Sequence, residues 1–189
     1  MNNNEILRSV RYILSLGDEK MIALFALGGC RVSREQVCNW LKKDDDPAQQ
    51  NCTDGELARF LNGLITKKRG TKEGPPVEVE NRLNNNIVLR KLKIAFNLQS
   101  VDMLQIMAQA GLPISDHELS AFFRKADHKH YRPCKDQVLR NFLKGLQMRF
   151  RPHDPGQAKQ AGQSSTYLPP GEHDEEDRVP PTVWQKRKN

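Results

Sequence analysis

The amino-acid sequence contains one segment twice, and this duplication constrains the fold more than any other feature. The segment NNNEILR at residues 2–8 returns as NNNIVLR at residues 84–90, which places equivalent residues 82 positions apart. The register then continues without a gap, so that Cys52 matches Cys134 and Phe60 matches Phe142. Each copy is near the lower size limit for a self-sufficient core, so we expect the two copies to pack together.

The duplication divides the chain into four segments. Repeat 1 covers residues 2–70, a linker covers 71–83, repeat 2 covers 84–152 and a tail covers 153–189. The linker contains Gly74-Pro75-Pro76, which argues against a helix there. The tail is rich in Gly, Pro and Ser and poor in apolar residues, which predicts disorder. Its one bulky apolar pair, Val183-Trp184, is either incidental or a short docking motif.

Each repeat has the residue pattern of four helices. Apolar residues recur at the spacing of one helical face, as at Ile6, Val10 and Ile13. Runs that alternate as in a β-strand are absent from the sequence, so the predicted class is all-α, with two tandem four-helix repeats. Gly63 and Gly145 fall in the middle of the last helix of each repeat, where glycine costs about 1 kcal/mol relative to alanine. We therefore expect two helix backbones to pack closely at these glycines.

Matching polar residues predict where the helices begin. Ser33 and Ser115 are followed three residues later by Gln36 and Glu118, the pattern of a capping box. Glycines at 29 and 111 predict the C-terminal caps of the second helix of each repeat. The predicted N-caps are Asn4 and Asn86, Asp18 and Ser100, Ser33 and Ser115, and Asp54 and Asp136.

Charge distinguishes the two repeats. Repeat 1 has 11 basic and 9 acidic residues, whereas repeat 2 has 12 basic and 5 acidic residues. The segment 42–52 of repeat 1, which contains the acidic run 44–46, is replaced in repeat 2 by a basic segment, 124–134, with a tyrosine inside it. Cations for phosphates and an aromatic ring for stacking are typical of a nucleic-acid-binding surface. The predicted site comprises Arg124, Lys125, His128, Lys129, His130, Tyr131, Arg132, Lys135, Arg140 and Lys144.

Other interpretations of the same residues stay open. The basic segment could be a solvated loop that is charged for solubility, or could dock an acidic protein partner. The second and third helices of repeat 1 resemble a helix-turn-helix, in which Arg34, Asn39 and Lys43 could face a DNA groove. A simple packed helix pair explains that pattern as well, because such hairpins are common in helical bundles.

Other kinds of site have weaker support. The segment His128-x-His130-x3-Cys134 offers three metal ligands, but its spacing is not that of a zinc finger, and we expect no metal or other cofactor. Cys134 could be a reactive thiol with a lowered pKa beside Lys135. No motif of a known enzyme class is present in the sequence, so we expect a non-enzyme. We also expect reduced cysteines, no membrane segment and a cytoplasmic location; the oligomeric state stays open.

Long strings of the sequence resemble one known family. NNNEILRSVRYIL, FALGGCRVSREQVCNWLKK, LNNNIVLRKLKIAF and HKHYRPCKDQVLRNFLKGL are similar to the YehS-like family of uncharacterised bacterial proteins. The resemblance covers residues 1–152 and excludes the tail. It implies a small cytoplasmic protein with two copies of one helical domain, and it supplies no functional residues.

Overall fold

The chain folds into helices throughout the part that the structure describes. A computed structural model describes residues 1–71 and 79–151. Within these ranges there are eight helices and no strand, which confirms the all-α prediction. The helices of repeat 1 are α1 (Asn3–Ile13), α2 (Asp18–Leu27), α3 (Arg34–Leu41) and α4 (Asp54–Arg69), and those of repeat 2 are α5 (Asn85–Ala95), α6 (Ser100–Gln109), α7 (Asp116–Phe122) and α8 (Asp136–Phe150).

The helices belong to one compact unit, Met1–Asp154. None of them is long and apolar enough to cross a membrane. The predicted disordered tail at 153–189 and most of the predicted linker, 72–78, lie outside the described residues.

The predicted capping boxes are confirmed. Ser33 accepts a hydrogen bond from the backbone N–H of Gln36 at 3.1 Å, and Gln36 accepts one from the N–H of Ser33 at 2.9 Å. Ser115 and Glu118 make the same reciprocal pair at 3.3 and 3.0 Å. Each box satisfies backbone N–H groups that have no partner inside the helix, and this fixes where α3 and α7 begin.

The other three pairs of predicted N-caps are wrong by one or two residues. The cap of α1 is Asn2, whose side chain accepts from Glu5 N–H at 2.7 Å, because Asn4 is used in the core. The cap of α4 is Thr53, because Asp54 is already helical and bonds to neighbouring segments. In α1 and α5 the observed caps are Asn2 and Asn84 in place of Asn4 and Asn86. In α2 and α6 they are Gly17 and Gln99 in place of Asp18 and Ser100. In α4 and α8 they are Thr53 and Lys135 in place of Asp54 and Asp136.

The predicted glycines end α2 and α6. Gly29 and Gly111 have φ values of +77° and +83°, a left-handed conformation that favours glycine. They directly follow the C-caps, Gly28 and Ala110. The next residue, Cys30, donates its N–H to the carbonyl of Phe25 at 2.9 Å, and Leu112 repeats this bond to Met107. These are the bonds of a Schellman motif, which reverses the chain toward α3 and α7.

Close helix crossings hold each repeat together. A Cβ atom added at Gly63 of α4 would lie 1.8 Å from the carbonyl oxygen of Leu24 in α2. One added at Gly145 of α8 would lie 2.3 Å from the carbonyl oxygen of Ile106 in α6. Only a residue without a side chain fits at these separations, which confirms the predicted close packing.

The three consecutive asparagines at the start of each repeat have three different roles. Asn2 caps α1, as described above. Asn3 donates to the carbonyl of Cys52 at 3.0 Å and to the carboxylate of Asp54 at 2.7 Å. Asn4 is buried, donates to the carbonyls of Trp40 and Gln50 at 2.8 and 2.7 Å, and accepts from Cys52 N–H at 3.0 Å. Asn84, Asn85 and Asn86 repeat this arrangement in repeat 2.

The two repeats pack together through reciprocal contacts. Helix α4 of repeat 1 packs against α5 of repeat 2, and α1 packs against α8. The carboxylate of Asp54 accepts from Leu83 N–H, at the start of repeat 2, at 2.9 Å. The equivalent Asp136 accepts from the amino group of Met1, the residue that matches Leu83. The repeats are thus related by an approximate two-fold axis, and their buried residues form one continuous core.

Candidate nucleic-acid interface

The predicted basic segment forms the loop between α7 and α8. Seven of the ten predicted site residues line two adjoining surface depressions of about 400 and 510 Å³. Arg124 and Lys129 line both depressions, so they lie on the boundary between them. The seven residues are Arg124, Lys125, His128, Lys129, His130, Tyr131 and Arg132.

The backbone of this loop is fixed at both ends by one buried side chain. Asn86 donates to the carbonyls of Phe122 and Arg132, each at 2.9 Å, and accepts from Cys134 N–H at 2.9 Å. The amide of Arg132 also donates to the carbonyl of Ala121 at 3.2 Å. The exposed basic side chains are therefore held on a backbone that is anchored to the core of repeat 2.

The other three predicted site residues lie apart from the depressions. Arg140 forms an ion pair with Glu5 of α1 at 3.5 Å, at the junction of the repeats. Lys144 is exposed one turn further along α8, and Lys135 is the exposed N-cap of α8. The linear sequence could not separate these residues from the loop, because helical spacing gives no information about what packs beside the helix.

Two carboxylates neutralise cations in repeat 1 and are missing from repeat 2. Arg8 pairs with Asp44 at 3.0 Å, and Arg11 pairs with Asp18 at 2.9 Å. The equivalent cations in repeat 2 are Arg90 and Lys93. The acids are replaced there by Ala126 and Ser100. Repeat 2 has therefore kept the positive charges and lost the negative ones beside them.

Arg90 and Lys93, which are not among the predicted site residues, extend the basic loop onto α5. The guanidinium of Arg90 donates to the carbonyl of Phe123 at 2.7 Å. The ammonium of Lys93 lies 4.8 Å from the centre of the Phe123 ring, a cation–π distance. Phe123 directly precedes Arg124, so these contacts bring both cations to the start of the loop. The sequence does show that Asp44 and Asp18 of repeat 1 have no acidic counterpart in repeat 2. Their pairing with Arg8 and Arg11 is visible only in three dimensions.

Cys134 is not the reactive thiol that its position beside Lys135 suggested. It is buried, and burial raises the pKa of its thiol to about 12, with a smaller contribution from the carboxylate of Asp136. Burial also raises the pKa of the equivalent Cys52 to about 12. The rings of His128 and His130 lie 5.6 Å apart, and the described residues contain no group of three or more His, Cys, Asp or Glu side chains placed to hold a metal.

We expect Cys52 and Cys134 to resist alkylation in the folded protein. A thiol with a pKa near 12 has about a thousand-fold less thiolate at pH 8 than one near 9, and the thiolate is the nucleophile. Iodoacetamide labelling at about pH 8, followed by peptide mass spectrometry, should modify these two cysteines only after urea unfolds the chain. Rapid labelling of Cys134 in the native protein would contradict this prediction.

The helix-turn-helix interpretation stays a prediction. Arg34 is exposed at the start of α3, but it pairs with Asp18 at 3.2 Å. The backbone carbonyl of Asn39 accepts from Gln50 N–H at 3.2 Å, and the neighbouring Trp40 is buried in the core. Lys43 lies just beyond the end of α3 and is exposed.

Comparison with known proteins agrees with the duplication. The family described as "Protein of unknown function (DUF1456)" matches the chain twice, at residues 3–70 and 85–151, which contain the two sets of four helices. The Uncharacterized protein YehS of Escherichia coli (strain K12) is 47% identical over 150 residues, which make up 79% of this chain and 96% of that protein. No solved structure matches the chain. The chain therefore belongs to the YehS-like family and contains two copies of its repeat.

Proposed function

We propose that this protein binds nucleic acid, RNA or DNA, through a repeat-2 basic surface. We define that surface by its six cations: Arg90, Lys93, Arg124, Lys125, Lys129 and Arg132. The observation that carries the proposal is the loss of the two carboxylates that pair with the equivalent arginines of repeat 1. Among the described residues, neither Arg90 nor Lys93 forms an ion pair, so both remain available for an external anion. Glu118 and Asp127 lie among the loop cations, which still outnumber them, and a chain of phosphates can contact several cations at once.

The geometry of the surface supports a polyanion over a single anion. Its cations lie around two adjoining depressions and along the second half of α5, and Tyr131 and three histidines line the same depressions. Lysine and arginine side chains that track a phosphate backbone, with aromatic rings between them, are the common features of sequence-tolerant nucleic-acid binding. We also propose that the protein acts in the cytoplasm, with its cysteines reduced.

Reversing two charges on the loop should weaken binding and reduce its salt dependence. For Lys129→Glu with Arg132→Glu, we expect about a 10- to 100-fold loss of affinity near 0.1 M salt. The slope of log affinity against log salt should become shallower by roughly 1.4 for single strands or 1.8 for duplex DNA, since two phosphate contacts are removed. Fluorescence anisotropy with labelled oligonucleotides measures both quantities.

The duplication supplies a matched control for charge. Lys43 and Lys125 are equivalent and both exposed. We expect Lys125→Glu to weaken binding several-fold and Lys43→Glu to leave it within about two-fold, because Lys43 lies in the acidic loop of repeat 1. Equal effects of the two changes would indicate non-specific attraction to net charge. Should the wild-type protein show no salt-dependent affinity for RNA or DNA, nucleic-acid binding is refuted, and capture of an acidic protein becomes the better explanation of the surface.

A further inference from the structure

The smaller depression on the repeat-2 basic surface contains aromatic rings and a carboxylate as well as cations, whereas phosphate binding alone requires only the cations. It has a volume of about 400 Å³, within the range of roughly 300 to 1,000 Å³ that holds small organic ligands. Its walls contain three flat rings, a carboxylate and three cations. These residues are His117, His130 and Tyr131, Glu118, and Arg124, Lys129 and Arg132, with Ala121 completing the wall.

We propose that this depression receives one unpaired base of a single-stranded nucleic acid, and that Glu118 selects bases that carry an amino group. The proposal rests on the nucleic-acid-binding function above and specifies its ligand class. A duplex could not present a base this way, because its bases are stacked and paired inside the helix.

The placement of the cations fits a strand that crosses the boundary between the depressions. Arg124 and Lys129 line both depressions, so a phosphate bound there would have space for a nucleotide on either side. Tyr131 is partly exposed on the wall of the smaller depression. Stacking on such a ring is tolerant of sequence, because every base has a π-face.

Glu118 has one carboxylate oxygen available for a ligand. The other oxygen, Oε2, accepts from the backbone N–H and the hydroxyl of Ser115 at 3.0 and 2.9 Å, which lowers the pKa of the carboxyl group. The described residues provide no hydrogen bond to Oε1. An ionised carboxylate accepts from the exocyclic amino groups of adenine, cytosine and guanine, whereas uracil and thymine present two carbonyl oxygens that it repels.

The first test separates stacking from charge. We expect Tyr131→Leu to weaken binding of a labelled single-stranded 12-mer by about 5- to 100-fold, since stacking of one base is lost. The same strand annealed into a duplex should bind with unchanged affinity, and the salt slope should not move, because no cation is removed. Lys125→Glu serves as the contrast, since it should weaken binding of both forms. Ribose and deoxyribose versions of the strand distinguish RNA from DNA.

The second test examines base selection by giving repeat 2 the glutamine that repeat 1 has at the position equivalent to Glu118. Gln36 makes in repeat 1 the same capping box that Glu118 makes in repeat 2, so Glu118→Gln should preserve the fold. We expect wild-type protein to bind oligo-A and oligo-C at least about 5-fold more tightly than oligo-U or oligo-dT, and Glu118→Gln to reduce that ratio to about 1. The reverse change in repeat 1, Gln36→Glu, should leave the ratio unchanged.

The outcomes separate failure of this inference from failure of the proposed function. Binding that is salt-dependent and lost in Lys129→Glu with Arg132→Glu, yet insensitive to Tyr131→Leu, keeps nucleic-acid binding and refutes the base pocket. A Tyr131→Leu effect that is equal for single strands and duplexes refutes it too. No base preference in the wild type, or a preference that survives Glu118→Gln, overturns the role of Glu118. No affinity for any oligonucleotide refutes both proposals.

Discussion

The substitution Gly63→Ala is expected to lower the free energy of unfolding by about 3 kcal/mol or more, a large effect for the addition of one methyl group. The added Cβ would lie 1.8 Å from the carbonyl oxygen of Leu24, and that oxygen is part of the α2 backbone. A side chain could rotate away, but here the two helices must separate and core packing is lost along both. Urea unfolding followed by circular dichroism should show a lower midpoint with an unchanged m-value.

Repeat 2 allows a graded comparison. At Gly145 the nearest atom is the Ile106 carbonyl oxygen at 2.3 Å, followed by the Ile106 side chain at 2.6 Å. Part of this clash can be relieved by a side-chain movement, so we expect Gly145→Ala to cost less than Gly63→Ala. The α2–α4 crossing of repeat 1 is also tighter elsewhere, because Gly28 lies against the Arg59 carbonyl, whereas its equivalent in repeat 2 is Ala110.

Gly55, in the first turn of α4, is the control for both substitutions. A Cβ added there meets no atom within 4 Å. Gly55→Ala should therefore be neutral or stabilise the protein by up to about 1 kcal/mol, since alanine has the higher helix propensity. A loss of stability at Gly55 equal to that at Gly63 would contradict the close-crossing explanation.

Removing the Asn86 side chain is expected to lower the free energy of unfolding by about 3 kcal/mol and to disorganise the proposed binding loop. In Asn86→Ala the carbonyls of Phe122 and Arg132 and the N–H of Cys134 lose a partner in the core. Each such group costs roughly 1 to 3 kcal/mol when it is left buried and unpaired, although movement of the loop toward water reduces the total. That movement would displace the cations that follow Phe122.

Asn4→Ala separates stability from binding. Asn4 makes the equivalent three bonds in repeat 1, so we expect a similar loss in the free energy of unfolding. The loop that it anchors, however, carries the acidic segment 44–46. We therefore expect oligonucleotide affinity, measured where both variants are folded, to fall at least about 10-fold in Asn86→Ala and to stay within about 2-fold in Asn4→Ala. Equal losses of affinity would show that the anchored loop of repeat 2 has no special role.

The asparagines show why some predictions from sequence were wrong. Asn4 has the chemistry of an N-cap and stands just before an apolar helical stripe, so a helix start there was reasonable. Its true partners are Trp40 and Gln50, which lie 36 and 46 residues further along the chain. No local pattern contains that information, and the recurrence of all three asparagines indicated that they matter without indicating how.

The sequence by itself determined the duplication, the helical class, the capping boxes at Ser33 and Ser115, the close crossings at Gly63 and Gly145, and the repeat that holds the excess positive charge. These features follow from periodicity and backbone preferences among near neighbours, and a second copy tests each of them. Only the tertiary structure decided which cations share a surface. Arg8 and Asp44 are 36 residues apart, and Arg140 meets Glu5 of the other repeat. Electrostatic pairing depends on distance in space, so neutralised and available charges become distinguishable only once the helices are packed.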